Sequence, residues 1–151
     1  MKICISVAII AYLIGSISFS VIFTKKLAGF DVREKGSKNA GSTNVLRTAG
    51  KKVAMLTLIC DILKGVGTVF LSVHIGNKYG YEHSEILVQI ASLFVVIGHT
   101  FPIFFGFKGG KGVATSLGVL MVVNWKLGLI LIIYALVLII LTRMVSLGSI
   151  A

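Results

Sequence analysis

From Ile3 to Thr24 the chain runs without a single charged residue. That is enough to cross the hydrocarbon core of a bilayer, which takes about 20 residues of helix. In lipid every backbone amide needs an internal partner, so a spanning segment of this kind reads as helix. Further apolar runs follow at Val53–Val73, Ile86–Phe105, Val113–Val123 and Leu127–Leu141. Val113–Val123 is too short for a full crossing, which leaves it tilted, re-entrant or extended by the residues before it. Arg143 closes the last run, and VSLGSIA beyond it reads as the opening of another helix. The expectation is an all-α integral membrane protein of about five transmembrane or half-spanning helices plus the start of another. It forms one domain over residues 1–151, with no repeat and no linker.

Composition agrees. Hydrophobic residues make up 56% of the chain and charged residues 13%, against about 25% charged in soluble domains. The net charge of +10 does not mark a nucleic-acid binder, because eight of the fifteen cations lie between Lys25 and Lys52, in one gap between apolar runs. Cys4 and Cys60 both fall inside apolar runs and read as small buried hydrophobes, without disulfide or metal-ligand spacing. A cleaved signal peptide is the other reading of the first run. However, only Lys2 precedes it while Lys25 and Lys26 follow it, which favours a retained helix.

The positive-inside rule orients the chain. With the N-terminus outside, eleven cations face the cytoplasm and three face out, Lys64 being inside a span. Both glycine-rich polar stretches, Gly36–Arg47 and Gly98–Thr115, then meet the same membrane face.

The first reads GSKNAGSTNVLR. Gly36 and Gly41 permit close backbone approach, Ser37, Asn39, Ser42, Thr43 and Asn44 supply hydroxyls and amides, and Arg47 supplies a fork suited to phosphate. An anion cradle and a plain solvated loop with a capped helix explain these residues equally well. The second, GHTFPIFFGFKGGKGVAT, is sharper. Phe101, Pro102, Phe104, Phe105 and Phe107 suit the interfacial end of a kinked helix. Gly109, Gly110 and Gly112, flanked by Lys108 and Lys111, lead into a helix start at Val113, which is a ready anion site. A Walker loop would need glycine where Phe105 stands, and no GxGxxG motif is present.

His99 sits inside the third run, and no carboxylate stands at the HxxxxD spacing, where Phe104 falls. Alone, it reads as a structural histidine. Asp61 and Lys64 lie within a span at i, i+3, where each unpaired charge would cost about 2.5–3.5 kcal/mol on insertion scales. Pairing on one helix face is the expectation.

Taken together, GSKNAGSTNVLR, the DILKG of Asp61–Gly65, GHTFPIFFGFKGGKGVAT and the TRMVSLGSI of Thr142–Ile150 resemble the acyl-phosphate-dependent glycerol-3-phosphate acyltransferases, the PlsY family. The resemblance runs through essentially the whole chain. It implies the first acylation of bacterial phospholipid biosynthesis: transfer of a fatty acyl group from acyl phosphate to the 1-hydroxyl of sn-glycerol 3-phosphate, giving lysophosphatidic acid and phosphate. It also implies a multi-pass protein of the bacterial inner (plasma) membrane with its site facing the cytoplasm. Membrane lipids and the enzyme that makes acyl phosphate are then its partners, and no cofactor or metal is called for.

Both substrates carry phosphate, and the donor carries a lipid tail that an aromatic-rich groove at the membrane edge would accept. Because acyl phosphate is already activated, positioning and charge stabilisation suffice and no protein nucleophile is needed. By motif match Ser37, Arg47 and Lys108 carry over as catalytic or phosphate-contacting residues, and Thr43 and Asn44 as acyl phosphate ligands. Gly109, Gly110, Lys111 and Gly112, with Lys108, are matched to the phosphate of glycerol 3-phosphate. Asn39, Gly41, His99 and Ser146 complete the substrate-binding set. The family continues beyond Ala151 with a third motif carrying a histidine and an asparagine, so the chain is expected to be C-terminally truncated, with its activity alone in question. A reading from a different class is a small transporter or channel for an organic phosphate, since glycine-rich helix starts also bind anions in transporters.

Overall fold

The computed structural model describes residues 1–142, and these are helical with connecting loops. The first apolar run forms α1 (Lys2–Gly15) and α2 (Phe19–Phe23), continued by a π-helical turn at Thr24–Ala28. A short amphipathic helix, α3 (Ser42–Ala49), precedes α4 (Lys51–Lys78). Then come α5 (Ser84–Thr100), a 3-10 turn at Ile103–Phe105, α6 (Val113–Val123) and α7 (Trp125–Thr142). Four segments are long and apolar enough to cross a membrane: Lys2–Ala28, Lys51–Lys78, Ser84–Phe105 and Trp125–Thr142. The short run at Val113–Val123 stays short, bounded by Gly112 at φ 83° and by Asn124, whose side chain caps the start of α7 at Leu127 N–H. α4 outruns its apolar segment at both ends, because Lys51, Lys52 and Lys78 continue the helix past the hydrocarbon.

The first span is not continuous. The chain leaves the helix at Ser16–Ser18, freeing carbonyls inside the membrane, and Lys64 answers them from α4. Its ammonium donates to Gly15 O at 3.2 Å and Ile17 O at 2.9 Å, and pairs with Asp61 Oδ1 at 2.9 Å. All three of its protons have acceptors. The i, i+3 pair therefore forms as the spacing predicts, with both side chains at most 3% exposed.

Helices in lipid associate by close packing, and small residues set the distance. α1 packs on α5 through a reciprocal glycine contact: a Cβ on Gly15 would strike Val95 O, and one on Gly98 would strike Tyr12 O. α4 packs on α6 in the same way, with Gly65 against Thr115 O and Gly118 against Ile62 O. α7 packs chiefly on α6, and Gly128 is its one buried residue among those described. Its large apolar side chains away from α6, such as Ile130, Ile133 and Ile140, are exposed as lipid-facing residues are. Cys4 and Cys60 are free and half-buried, and Cys4 Sγ lies 3.4 Å from the Tyr81 hydroxyl.

Candidate active site

The two polar stretches meet at one end of the bundle. Ala40 N–H donates to Gly109 O at 3.3 Å, and Ser20 Oγ donates to Ala40 O at 2.9 Å, tying both to the broken first span. Arg33 adds a brace. Its Nη1 donates to Phe105 O at 2.6 Å, while its Nε and Nη2 hold the two carboxylate oxygens of Asp31 at 3.0 and 2.7 Å. Lys25 stands 3.2 Å from the same carboxylate. Arg33 beside Asp31 holds its carboxyl well below the usual carboxylate range, and Asp31 in turn raises the Arg33 guanidinium. Sequence reading singled out neither residue.

Between the stretches and α4, α6 and α7 lies a cavity of about 480 Å³. Its mouth is polar, lined by Ser37, Asn39, Gly41, Thr43, Arg47, Lys111 and Gly112. Ser37, Arg47 and Lys111 are solvent-exposed. Asp61 and His99 form part of the wall. The rest is aliphatic: Leu58 from α4, Leu117 from α6, and Ile132, Ala135, Leu136 and Ile139 from α7. Those four α7 positions recur at three- and four-residue intervals, one stripe of a helix.

Several expected residues take other parts. Asn44 touches the cavity, but its amide is engaged inside the loop. Nδ2 donates to the carbonyls of Val32, Lys35 and Asn39, all at 3.0 Å, and Oδ1 accepts from Ser37 N–H at 3.0 Å. It holds the cradle's shape instead of offering a free ligand. Gly109 and Gly110 use their N–H groups on Thr100 O (3.2 Å) and His99 O (3.1 Å), which closes the end of α5. Their glycine identity comes from close packing. A Cβ on Gly109 would sit 2.7 Å from Thr100 O, and one on Gly110 would meet the His99 ring and lie 3.0 Å from Ala40 O. The N–H groups left for an anion are those of the first turn of α6, which have no intrahelical partners.

Lys108 is exposed beside the mouth and does not line the cavity. The cavity's apolar arm is aliphatic, not the aromatic-rich groove expected at the membrane edge; Phe101, Phe104 and Phe107 face outward. Ser146 lies outside the described residues.

His99 has a carboxylate neighbour after all. Asp61, on a different helix, places Oδ1 3.6 Å from His99 Nδ1. A search of sequence spacing around His99 finds only near neighbours on its own helix, so this pair is invisible to it.

The glycerol-3-phosphate acyltransferase family profile matches residues 5–151. The chain belongs to the glycerol-3-phosphate acyltransferase family. The Paraburkholderia phytofirmans glycerol-3-phosphate acyltransferase is 49% identical over 145 residues, covering 96% of this chain and 67% of the relative. The Clostridioides difficile enzyme of that name is 44% identical, covering 97% of this chain and 71% of its own length. The crystal structure of PlsY (YgiH), an integral membrane glycerol 3-phosphate acyltransferase, in its glycerol 3-phosphate form superposes with a TM-score of 0.82 at 40% identity, covering 97% of this chain and 70% of that one. Its lysophosphatidic acid form gives 0.78 at 40% identity, covering 97% and 69%. This acyltransferase, an integral membrane protein, thus spans about two thirds of the length of the relatives it matches.

Proposed function

We propose that this acyltransferase takes its acyl group from acyl phosphate and passes it to the 1-hydroxyl of sn-glycerol 3-phosphate. The products are lysophosphatidic acid and inorganic phosphate. One observation carries the reading: a cationic, hydroxyl-rich mouth opens into an aliphatic arm within one cavity. Two phosphates and a hydrocarbon tail are the features its substrates must share.

In this reading the acyl tail lies along the Leu58, Leu117 and Ala135 arm, with its phosphate near Ser37, Thr43 and Arg47. The phosphate of glycerol 3-phosphate sits at the first turn of α6, flanked by Lys108 and Lys111, with Asn39, Gly41 and Gly112 shaping the backbone around it. Asn44, Gly109, Gly110 and His99 support those groups. The 1-hydroxyl oxygen attacks the acyl carbon, the carbon–oxygen bond to phosphate breaks, and phosphate leaves with the electron pair and takes up the hydroxyl proton. Ser37 and the Arg47 and Lys108 cations stabilise the charge that builds on the carbonyl and leaving phosphate, in a pocket that also fixes geometry. The mouth faces the cytoplasm of a bacterial plasma membrane, where the enzyme that makes acyl phosphate would supply it.

The test is phosphate release from palmitoyl phosphate by detergent-purified protein, with and without glycerol 3-phosphate, and with Arg47→Ala as the blank. Release that requires glycerol 3-phosphate and Arg47 supports the reading. Movement of glycerol 3-phosphate into vesicles without a lipid product would replace it with transport.

A further inference from the structure

Asp61 stands between two buried partners that do different jobs. Lys64 is accounted for by the break in the first span, where it holds Gly15 O and Ile17 O. His99 belongs to the other end of the network. Its Nδ1 faces Asp61 Oδ1 at 3.6 Å, beyond hydrogen-bond length, and has no hydrogen-bond partner, while Asp61 Oδ1 is also held by Lys64 Nζ at 2.9 Å. The residues are 2% and 6% exposed, so water does not screen the contact. A carboxylate opposite Nδ1 places the ring proton there and fixes the ring's rotation. The opposite edge of the ring, Nε2 and Cε1, abuts Gly110, and the His99 carbonyl accepts Gly110 N–H at 3.1 Å. Side chain and backbone of one residue thus grip the segment that leads into α6.

We infer that Asp61 is a positioning residue for glycerol 3-phosphate: through the His99 imidazole it holds the Gly109–Gly110 segment, and so the first turn of α6, in register for the substrate's phosphate. This rests on the placement of that phosphate proposed above. Aromatic or aliphatic packing would fill the same space more cheaply in lipid, yet a charged carboxylate is kept where it meets both His99 and Lys64. Binding of the acyl donor, whose tail lies along α7, does not depend on this contact.

The experiment is calorimetric titration of detergent-purified protein with glycerol 3-phosphate and, separately, with palmitoyl phosphate, alongside thermal unfolding. Asp61→Asn weakens glycerol 3-phosphate binding about tenfold, as loss of a contact to a charged group does. Palmitoyl phosphate binding stays within about twofold, and in a His99→Gln background Asp61→Asn adds less than about twofold. Where Asp61→Asn alone fails to fold because Lys64 is left without its counter-ion, the D61N/K64M protein removes both charges and the same comparison is made. An Asp61 effect of equal size with and without His99, an equal loss for both ligands, or no loss overturns the inference. If the unsubstituted protein binds palmitoyl phosphate but no glycerol 3-phosphate, the proposed phosphate placement fails first and the inference falls with it.

Discussion

Arg33 Nη1 reaches Phe105 O at 2.6 Å across 72 residues of chain, while the other side of the same guanidinium grips Asp31. One side chain thereby joins the serine- and asparagine-rich loop to the turn that carries the glycine stretch. The mouth of the cavity lies between these two segments, so its width depends on this joint.

The joint carries an acid-side prediction. Asp31 is held below the ordinary carboxylate range in the folded protein by Arg33. A depressed carboxyl contributes stability that is present above its unfolded value and is lost as pH falls through the folded one. Asp31→Asn should therefore lower the unfolding temperature at neutral pH. The gap to the unsubstituted protein should begin to narrow once pH falls below the ordinary carboxylate range, and close only as pH falls through the lowered folded value. Arg33→Met should cost about 1 kcal/mol at neutral pH through the lost hydrogen bonds. Thermal unfolding in detergent across a pH series measures both, and a pH-independent gap for Asp31→Asn contradicts the assignment.

Much of the fold is legible in the residues because lipid imposes a length rule. Runs such as Val113–Val123 and Leu127–Leu141 return as helices with nearly the same ends, since glycine, asparagine and charge mark where each stops. The interruption at Ser16–Ser18 is not legible. Three apolar or small residues carry no breaker signal, and the break is stabilised by Lys64 from a different helix.

The site divides the same way. Its polar stretches stand out against apolar surroundings, so Ser37, Thr43, Arg47 and Lys111 could be picked as mouth residues. The inward turn of Asn44, the use of the Gly109 and Gly110 amides on α5, and the meeting of Asp61 with His99 all depend on packing between distant segments. Composition also misplaced the apolar arm. Phe101, Phe104 and Phe107 crowd the motif but face outward, whereas the cavity wall is built from ordinary aliphatic positions of α7 that look like any lipid-facing helix.

Topology is open to a direct check. With eleven cations expected on the cytoplasmic side, a cysteine placed at Asn77 should react with an impermeant thiol reagent in intact cells. One at Lys38 should react only after permeabilisation. The reverse pattern inverts the orientation and puts the mouth on the outer face.

Gly110→Ala tests the loop. The new methyl group meets the His99 ring and Ala40 O, so the loop must shift away from α5 and carry the start of α6 with it. The expected result is a KM for glycerol 3-phosphate raised about tenfold, with the KM for palmitoyl phosphate little changed. Lost kcat at an unchanged KM would move the phosphate elsewhere.

Ala135→Phe tests the aliphatic arm. Ala135 is the smallest of the α7 side chains on the cavity wall, between Ile132 and Ile139. The stripe from Ile132 to Ile139 runs about 10 Å along the helix axis, long enough to face a good part of a fatty chain in the proposed placement. A phenyl ring there fills the space a tail would occupy, whereas its outward-facing neighbours would hold it in lipid without strain on the fold. Apolar contact is non-directional and scales with buried area, so the loss should grow with the length of tail excluded. The KM for palmitoyl phosphate should rise about tenfold or more, that for an octanoyl phosphate less, and that for glycerol 3-phosphate should stay unchanged. Ile133→Phe, on the lipid-facing side of the same helix, serves as the control for bulk alone. Equal losses for long and short donors would mean that the tail runs elsewhere, and that the arm between α4, α6 and α7 is filled by something other than substrate.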